Sequence, residues 1–282
     1  MQIASLGSGS RGNATLVRSA DTCVLVDCGF SFKEVLRRMR RLAFEPKQID
    51  ALLITHEHSD HCRGVETLAK TLRIPVYMSF GSAQADSLRG LRGQETTAPG
   101  PESAHATVSD RSPRVTDLRL FNAGEAFAVG DLQIQSIPVP HDAREPVQYR
   151  IDSRGARVGL LTDIGCVTSY VQEAYQDCRA LLLEFNHDYD LLQHGPYPGK
   201  LKRRIASRLG HLSNDDAAAF LARIDTSALT SLIFAHASEE NNSERCARQA
   251  LANYVPQLQE RAVWASQSEG TPWIAVASKP QG

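Results

Sequence analysis

Thr55-His56-Glu57-His58-Ser59-Asp60-His61 places three imidazoles and a carboxylate within six consecutive residues, in the order His-x-His-x-Asp-His. The chain has only nine histidines in 282 residues, so this density points to bound metal, and to two ions rather than one. Neutral imidazole nitrogen and aspartate oxygen suit zinc, manganese and iron alike, whereas a closed structural zinc site would be rich in thiolate. An open, catalytic site is therefore expected, with the choice of metal left undetermined by its donors.

The run in front, Ala51-Leu52-Leu53-Ile54, reads as a short buried strand, and apolar residues recur at helical spacing from Arg63 to Leu72. The cluster is thus expected on a strand-to-helix loop. His56 and His58 are assigned to one ion, Asp60 and His61 to the other, because the histidines in such a run do not easily face a single metal. Both ions then need ligands from elsewhere, best supplied at the ends of apolar strands. His141 closes Ile134–Pro140, Asp163 closes Val158–Thr162 and His236 closes Leu232–Ala235.

Taken in order, Asp27, His56 to His61, His141, Asp163 and His236 resemble the five motifs of the metallo-β-lactamase-fold hydrolases, over nearly the whole chain. The resemblance implies an α/β (α+β) fold, a four-layer αββα sandwich, and two divalent ions, zinc or manganese with iron as a third option. It also implies that His56, His58 and His141 hold one ion, that Asp60, His61 and His236 hold the other, and that Asp163 bridges them. Asp27 would brace the metal loop. Asp60 would also orient or deprotonate the attacking water.

Further stretches, Ser5 to Asn13, Pro138 to Asp142, Glu184 to Asp188, Gly195 to Pro198 and Gly210 to Asn214, are similar to the YycJ-like branch of that family. This implies a 5′-to-3′ exonuclease acting on DNA, with the tRNA-processing RNase Z more distant. RNA or a small cyclic phosphodiester is the alternative substrate, an ester or thioester a further one. The intact ligand set argues against a non-catalytic interaction module.

Outside the metal ligands, His211 precedes Ser213, a candidate helix cap, so it is expected beside a helix N-terminus that favours phosphate. There it either protonates the leaving oxygen, as the similar RNase Z motif implies, or simply hydrogen-bonds near the cap. His187 contacts the scissile phosphate, orients another ligand, or is an ordinary loop residue. Gly7-x-Gly9-x-x-Gly12 matches a dinucleotide fingerprint, but strands rather than a helix are expected after it, at Ala14–Arg18 and Thr22–Val26. Ser8, Ser10, Arg11 and Asn13 of that loop offer donors to a phosphate backbone. No acidic residue interrupts the chain from Leu191 to Ser213, where Lys200, Lys202, Arg203, Arg204 and Arg208 cluster near Tyr197. Lys200 and Arg203 are expected to meet substrate, as a local patch on a chain of net charge −1.

The length and a 42% hydrophobic content fit one domain, 1–282, interrupted by a Pro- and Gly-rich surface loop at about 90–114. Six cysteines without a Cys-x-x-Cys pair, and no secretory or membrane segment, lead to the expectation of a reduced, cytoplasmic protein with nucleic acid as partner and no membrane.

Overall fold

Alternation of apolar residues along the strands sets the layering. The computed structural model describes residues 1–91, 95–98, 100 and 117–278. Among them the strands are β1 (Gln2–Gly7), β2 (Ala14–Arg18), β3 (Cys23–Val26), β4 (Ala51–Leu53), β5 (Val76–Ser79), β6 (Glu95–Thr97), β7 (Leu118–Phe121) and β8 (Ala126–Val129). They continue with β9 (Leu132–Pro138), β10 (Val147–Ser153), β11 (Ala156–Leu161), β12 (Ala180–Glu184), β13 (Ser231–Ala235), β14 (Ala262–Trp264) and β15 (Ile274–Ala275). The helices are α1 (Phe32–Arg41), α2 (Ser59–Cys62), α3 (Val65–Leu72), α4 (Phe80–Ala83), α5 (Ser169–Ala174), α6 (Tyr189–His194), α7 (Gly199–Ile205), α8 (Asn214–Leu221) and α9 (Glu244–Tyr254).

One sheet has the order β15-β1-β2-β3-β4-β5-β7-β6, the other β14-β13-β12-β11-β10-β9-β8. In β4, Leu52 packs with Val35 and Met39 of α1 and with Val65 and Leu68 of α3. Its neighbours Ala51 and Leu53 turn the other way, into a core shared with Ile134, Tyr149 and Val158 of the second sheet. In β12, Ala180 and Leu182 join that same core, while Leu181 and Leu183 pack against Val171 of α5, Phe220 of α8 and Leu251 of α9. Three apolar cores thus separate four layers, α, β, β and α, as the resemblance implied. Each buried leucine of this kind contributes about 1.5–3 kcal/mol.

β3, β4 and β5 run parallel, as do β11, β12 and β13. Their carboxyl ends deliver Asp27, His56, Asp163, Glu184 and His236 to one rim of the sandwich, the rim at which open α/β sheets bind ligands. The glycine loop joins β1 to β2 as an antiparallel hairpin, so no helix follows it and the dinucleotide reading is excluded.

Most of the stretch 90–114, with His105, lies outside the described residues. Within its described part, Glu95–Thr97 is not loop: it forms β6, pairing in parallel with β7. No described helix is long and apolar enough to cross a membrane.

Candidate metal centre

The chain leaves β4 at Leu53 and reaches α2 within a few residues. His56 precedes that helix, His58 caps it, and Asp60 and His61 lie inside its short span. The expected loop is thus partly helical, with the amides of His61 and Cys62 both donating to the His58 carbonyl at 3.0 Å. Gly29 permits the close packing: a Cβ there would stand 1.6 Å from the Asp60 carbonyl oxygen.

The ring orientations follow from hydrogen bonds to Nδ1. His61 Nδ1 lies 2.8 Å from Asp27 Oδ2, His236 Nδ1 3.0 Å from Glu184 Oε1, and His141 Nδ1 3.1 Å from the Gly210 carbonyl. Each of these partners only accepts, so each ring donates from Nδ1. Thr55 gives its single hydroxyl proton to Asp27 (Oδ2 at 2.9 Å) and so accepts from His56 Nδ1 at 3.0 Å. All four rings are thereby left with Nε2 facing inward, the arrangement in which an outer carboxylate or carbonyl fixes a metal-binding tautomer.

Those Nε2 atoms converge on two groups. Ligand atoms of His56, His58 and His141 lie within 4.8 Å of one another, as do those of Asp60, His61 and His236. His56 Nε2 and His58 Nδ1 stand 3.0 Å apart, close enough to share one cation. Asp163 lies between the groups: Oδ1 is 3.9 Å from His141 Nε2 and 3.4 Å from His236 Nε2, and Oδ2 is 3.2 Å from His61 Nε2. Asp60 Oδ2 is 3.5 Å from His61 Nε2 and 3.7 Å from His236 Nε2. His141 Nε2, His236 Nε2 and Asp163 Oδ2 are buried with no hydrogen-bond partner. Such atoms are costly unless something binds them, and these donors fit divalent ions.

The match to the family described as Beta-lactamase superfamily domain spans residues 22–236. The chain belongs to the metallo-β-lactamase superfamily. It is 31% identical over 251 residues to the exodeoxyribonuclease YycJ of Bacillus anthracis, covering 89% of this chain and 87% of that one. It is 33% identical over 252 residues to the exodeoxyribonuclease WalJ of Streptococcus pneumoniae, with the same coverage. Its fold is similar to that of the metallo-β-lactamase fold protein YhfI from Bacillus subtilis, with a TM-score of 0.67 at 16% identity over 95% of this chain and 96% of that one. As a member of that superfamily the chain is a metal-dependent hydrolase, and its His/Asp cluster fits a metal site.

Carboxylates govern the electrostatics of this superfamily site. Burial works against charge on His236, yet Asp163, Asp60 and Glu184 lift its pKa to about 10. His61 is likewise pushed well above the ordinary value by Asp163 and Asp27 against the effect of burial. Burial alone would raise Asp163, but the charges of His236 and His61 hold it well below the usual carboxylate range. His56, buried and next to His61, is driven well below the ordinary histidine value and stays neutral.

Glu184 was not assigned a role from the sequence. Fully buried, its Oε1 accepts from His211 Nδ1 at 2.8 Å and from His236 Nδ1, while Oε2 accepts from the amides of Leu212 at 3.0 Å and Ile164 at 3.3 Å. Asp163, Glu184, His211 and His236 also form a geometric cluster, but Glu184 spends both oxygens on these donors and serves as their anchor. A carboxylate ending a wholly apolar strand was the available signal.

His211 stands at the mouth, its side chain 20% exposed and its ring 5.2–5.3 Å from those of His236 and His141. Ser213 accepts the Asp216 amide and caps α8 as expected. His187 is buried, 2% exposed, donates to Asn186 Oδ1 at 3.2 Å, and is kept neutral by burial with a pKa of about 4. Asn186 in turn donates to the His236 carbonyl at 2.8 Å.

Ser8 and Asn13, expected among the substrate donors, are instead buried clamps. Ser8 Oγ accepts the His236 amide at 2.8 Å and donates to Asn13 Oδ1 at 3.1 Å. The Asn13 amide holds the Asp60 carbonyl at 2.7 Å. Ser10 is exposed at the loop tip, and Arg11 beside it pairs with Glu239 at 2.6 Å. Lys200 and Arg203 are exposed on α7. Burial raises the pKa of Cys28 to about 12 and of Cys62 to about 11, which keeps both as thiols and supports their reading as small buried residues.

Proposed function

We propose that this chain is a dinuclear phosphodiesterase that degrades DNA from the 5′ end. The reading rests on one observation: the Asp163 carboxylate, buried between two histidine-rich triads, faces both. His56, His58 and His141 would hold one ion, Asp60, His61 and His236 the other, with Asp163 shared. When bound, such a pair lowers the pKa of a water and neutralises charge on a phosphoryl oxygen during in-line displacement.

The protein's own part is to orient and to move protons. Asp60, with its carbonyl held by Asn13, orients the attacking water and takes its proton. His211, its Nδ1–H fixed on Glu184, delivers a proton from Nε2 to the leaving oxygen. His187 acts through Asn186, keeping the His236 segment in place. Ser10, Lys200 and Arg203 contribute exposed polar and positive groups for the strand. The substrate class is supported by the exodeoxyribonuclease relatives and by this basic segment.

The test is digestion of a 5′-phosphorylated, 3′-labelled DNA duplex by protein loaded separately with manganese and with zinc, alongside Asp60→Ala. Metal-dependent shortening from the 5′ end, lost in the variant, is expected. Cleavage of RNA or of a small cyclic phosphodiester alone would refute DNA as substrate.

A further inference from the structure

The basic helix α7 is fastened to the site at several points. Its last residue Ile205 accepts the His211 amide at 2.9 Å through its carbonyl, and the Leu209 carbonyl in the loop that follows accepts the Asp142 amide at 3.1 Å. The Gly210 carbonyl of the same loop holds His141 Nδ1. Gly165 packs so tightly on this loop that a Cβ would stand 2.4 Å from the Arg208 carbonyl carbon. The positive charges on α7 therefore keep a fixed relation to the metal ligands.

Within that helix Arg204 differs from Lys200 and Arg203. Its Nε donates to Asp142 Oδ2 at 2.6 Å, and the other oxygen of Asp142 is 3.4 Å from His141 Nε2. No described residue hydrogen-bonds the terminal Nη groups, and the side chain is 59% exposed. A guanidinium pinned at Nε keeps both Nη groups as a fork matched to two phosphate oxygens. The scissile group must reach buried Asp163, whereas this fork is carried on an exposed side chain, with Asp142 between it and His141.

We infer that Arg204, pinned by Asp142, grips a non-scissile phosphate of the bound strand and sets which bond enters the site. This rests on the polynucleotide phosphodiesterase reading above. Arg204 is a substrate-positioning residue, and Asp142 its support.

The experiment compares Arg204→Gln and Arg204→Lys with the unaltered protein, fully metal-loaded, on a DNA oligonucleotide and on bis(p-nitrophenyl) phosphate, which has a single phosphate. On the oligonucleotide, Arg204→Gln should raise KM by on the order of tenfold to a hundredfold, the effect of losing one charge-assisted fork, and shift the pattern of cut positions. The loss on the small ester should be at least tenfold smaller. Arg204→Lys should restore charge but not the cut pattern. Equal losses on both substrates, or an unchanged oligonucleotide KM and pattern, would overturn the inference. If the unaltered protein cleaves only the small ester, the polynucleotide reading fails instead. Metal content and thermal midpoint, measured in parallel, should stay unchanged; a drop in either would make Arg204 structural and also overturn the inference.

Discussion

Glu184→Gln replaces a fully buried carboxylate by an amide of the same shape, and the hydrogen-bond geometry fixes what that change costs. Oε2 serves the Leu212 and Ile164 amides, while Oε1 serves the rings of His211 and His236 and, at 3.3 Å, the Asp163 amide. A glutamine NH2 must take one of these places. Facing the backbone amides, it leaves two buried donors without an acceptor; facing the rings, it opposes more. Each unsatisfied buried donor costs about 1–3 kcal/mol, so the less damaging orientation should cost about 2–6 kcal/mol, against a total of about 5–15 kcal/mol for a typical domain.

Burial would raise the Glu184 pKa, but its contacts with His211 and His236 lower it to about 2, so the wild-type group is ionised throughout the working range. Urea unfolding of the metal-free variant near neutral pH should therefore show a lowered midpoint with an unchanged slope. Metal affinity should fall about 10- to 100-fold, as when other outer partners of ligating histidines are lost. Combined with His211→Ala, Glu184→Gln should add less to the loss of turnover than it costs alone, because it acts partly by holding His211. A variant with the wild-type urea midpoint and metal affinity would refute the anchoring role.

Asp27→Asn removes the carboxylate that His61 Nδ1 and Thr55 share; metal content after dialysis against a chelator should show about 10- to 100-fold weaker retention, and full retention would count against the brace. Metal binding should release protons, because the carboxylates keep His61 and His236 protonated in the metal-free protein. The apparent affinity should accordingly rise with pH, and calorimetry in buffers of different ionisation enthalpy should detect the released protons; an affinity flat with pH would contradict this. Ser8→Ala strands the buried His236 amide and should cost about 1–3 kcal/mol of unfolding free energy, with Ser8→Thr milder; equal stability of Ser8→Ala and wild type in urea would reject the clamp.

What could be read from the sequence was whatever carries its own chemistry. Imidazoles packed in a short run, and single polar residues ending apolar strands, declare themselves because neither belongs in a hydrophobic interior without a partner. The structure brings His56, His58, Asp60, His61, His141, Asp163 and His236 together as those signals implied. The inward direction of Ser8 and Asn13 was not legible, because small polar residues in a glycine loop look alike whether they face water or the interior. The direction of Ser8 is set by His236, far along the chain at 2.8 Å. The run from Lys200 to Arg208 displays its charge openly, but only the phase of α7 and the path of its exit loop bring Arg204 rather than a neighbour to Asp142.

The supports that the sequence did not reveal as such are tied to the strain at the site. Asp27, Asp163 and His236 adopt left-handed backbone conformations, with φ of 60°, 50° and 50°, at the carboxyl ends of β3, β11 and β13. For a residue with a Cβ this costs of order 1–3 kcal/mol, and it persists only where the surroundings over-determine it. The amide of each strained residue has its own acceptor: Leu53 carbonyl for Asp27 at 2.8 Å, Glu184 for Asp163 at 3.3 Å, and Ser8 for His236 at 2.8 Å. A turn of this hand swings the side chain back over the sheet rim, which a residue continuing in extended conformation would not do. Two parallel-stranded edges can therefore aim their terminal residues at a common point only if something holds the strained amides. Ser8 and Glu184 do so for His236 and Asp163, so the constraint that fixes the ligand positions lies in side chains that touch no metal position themselves.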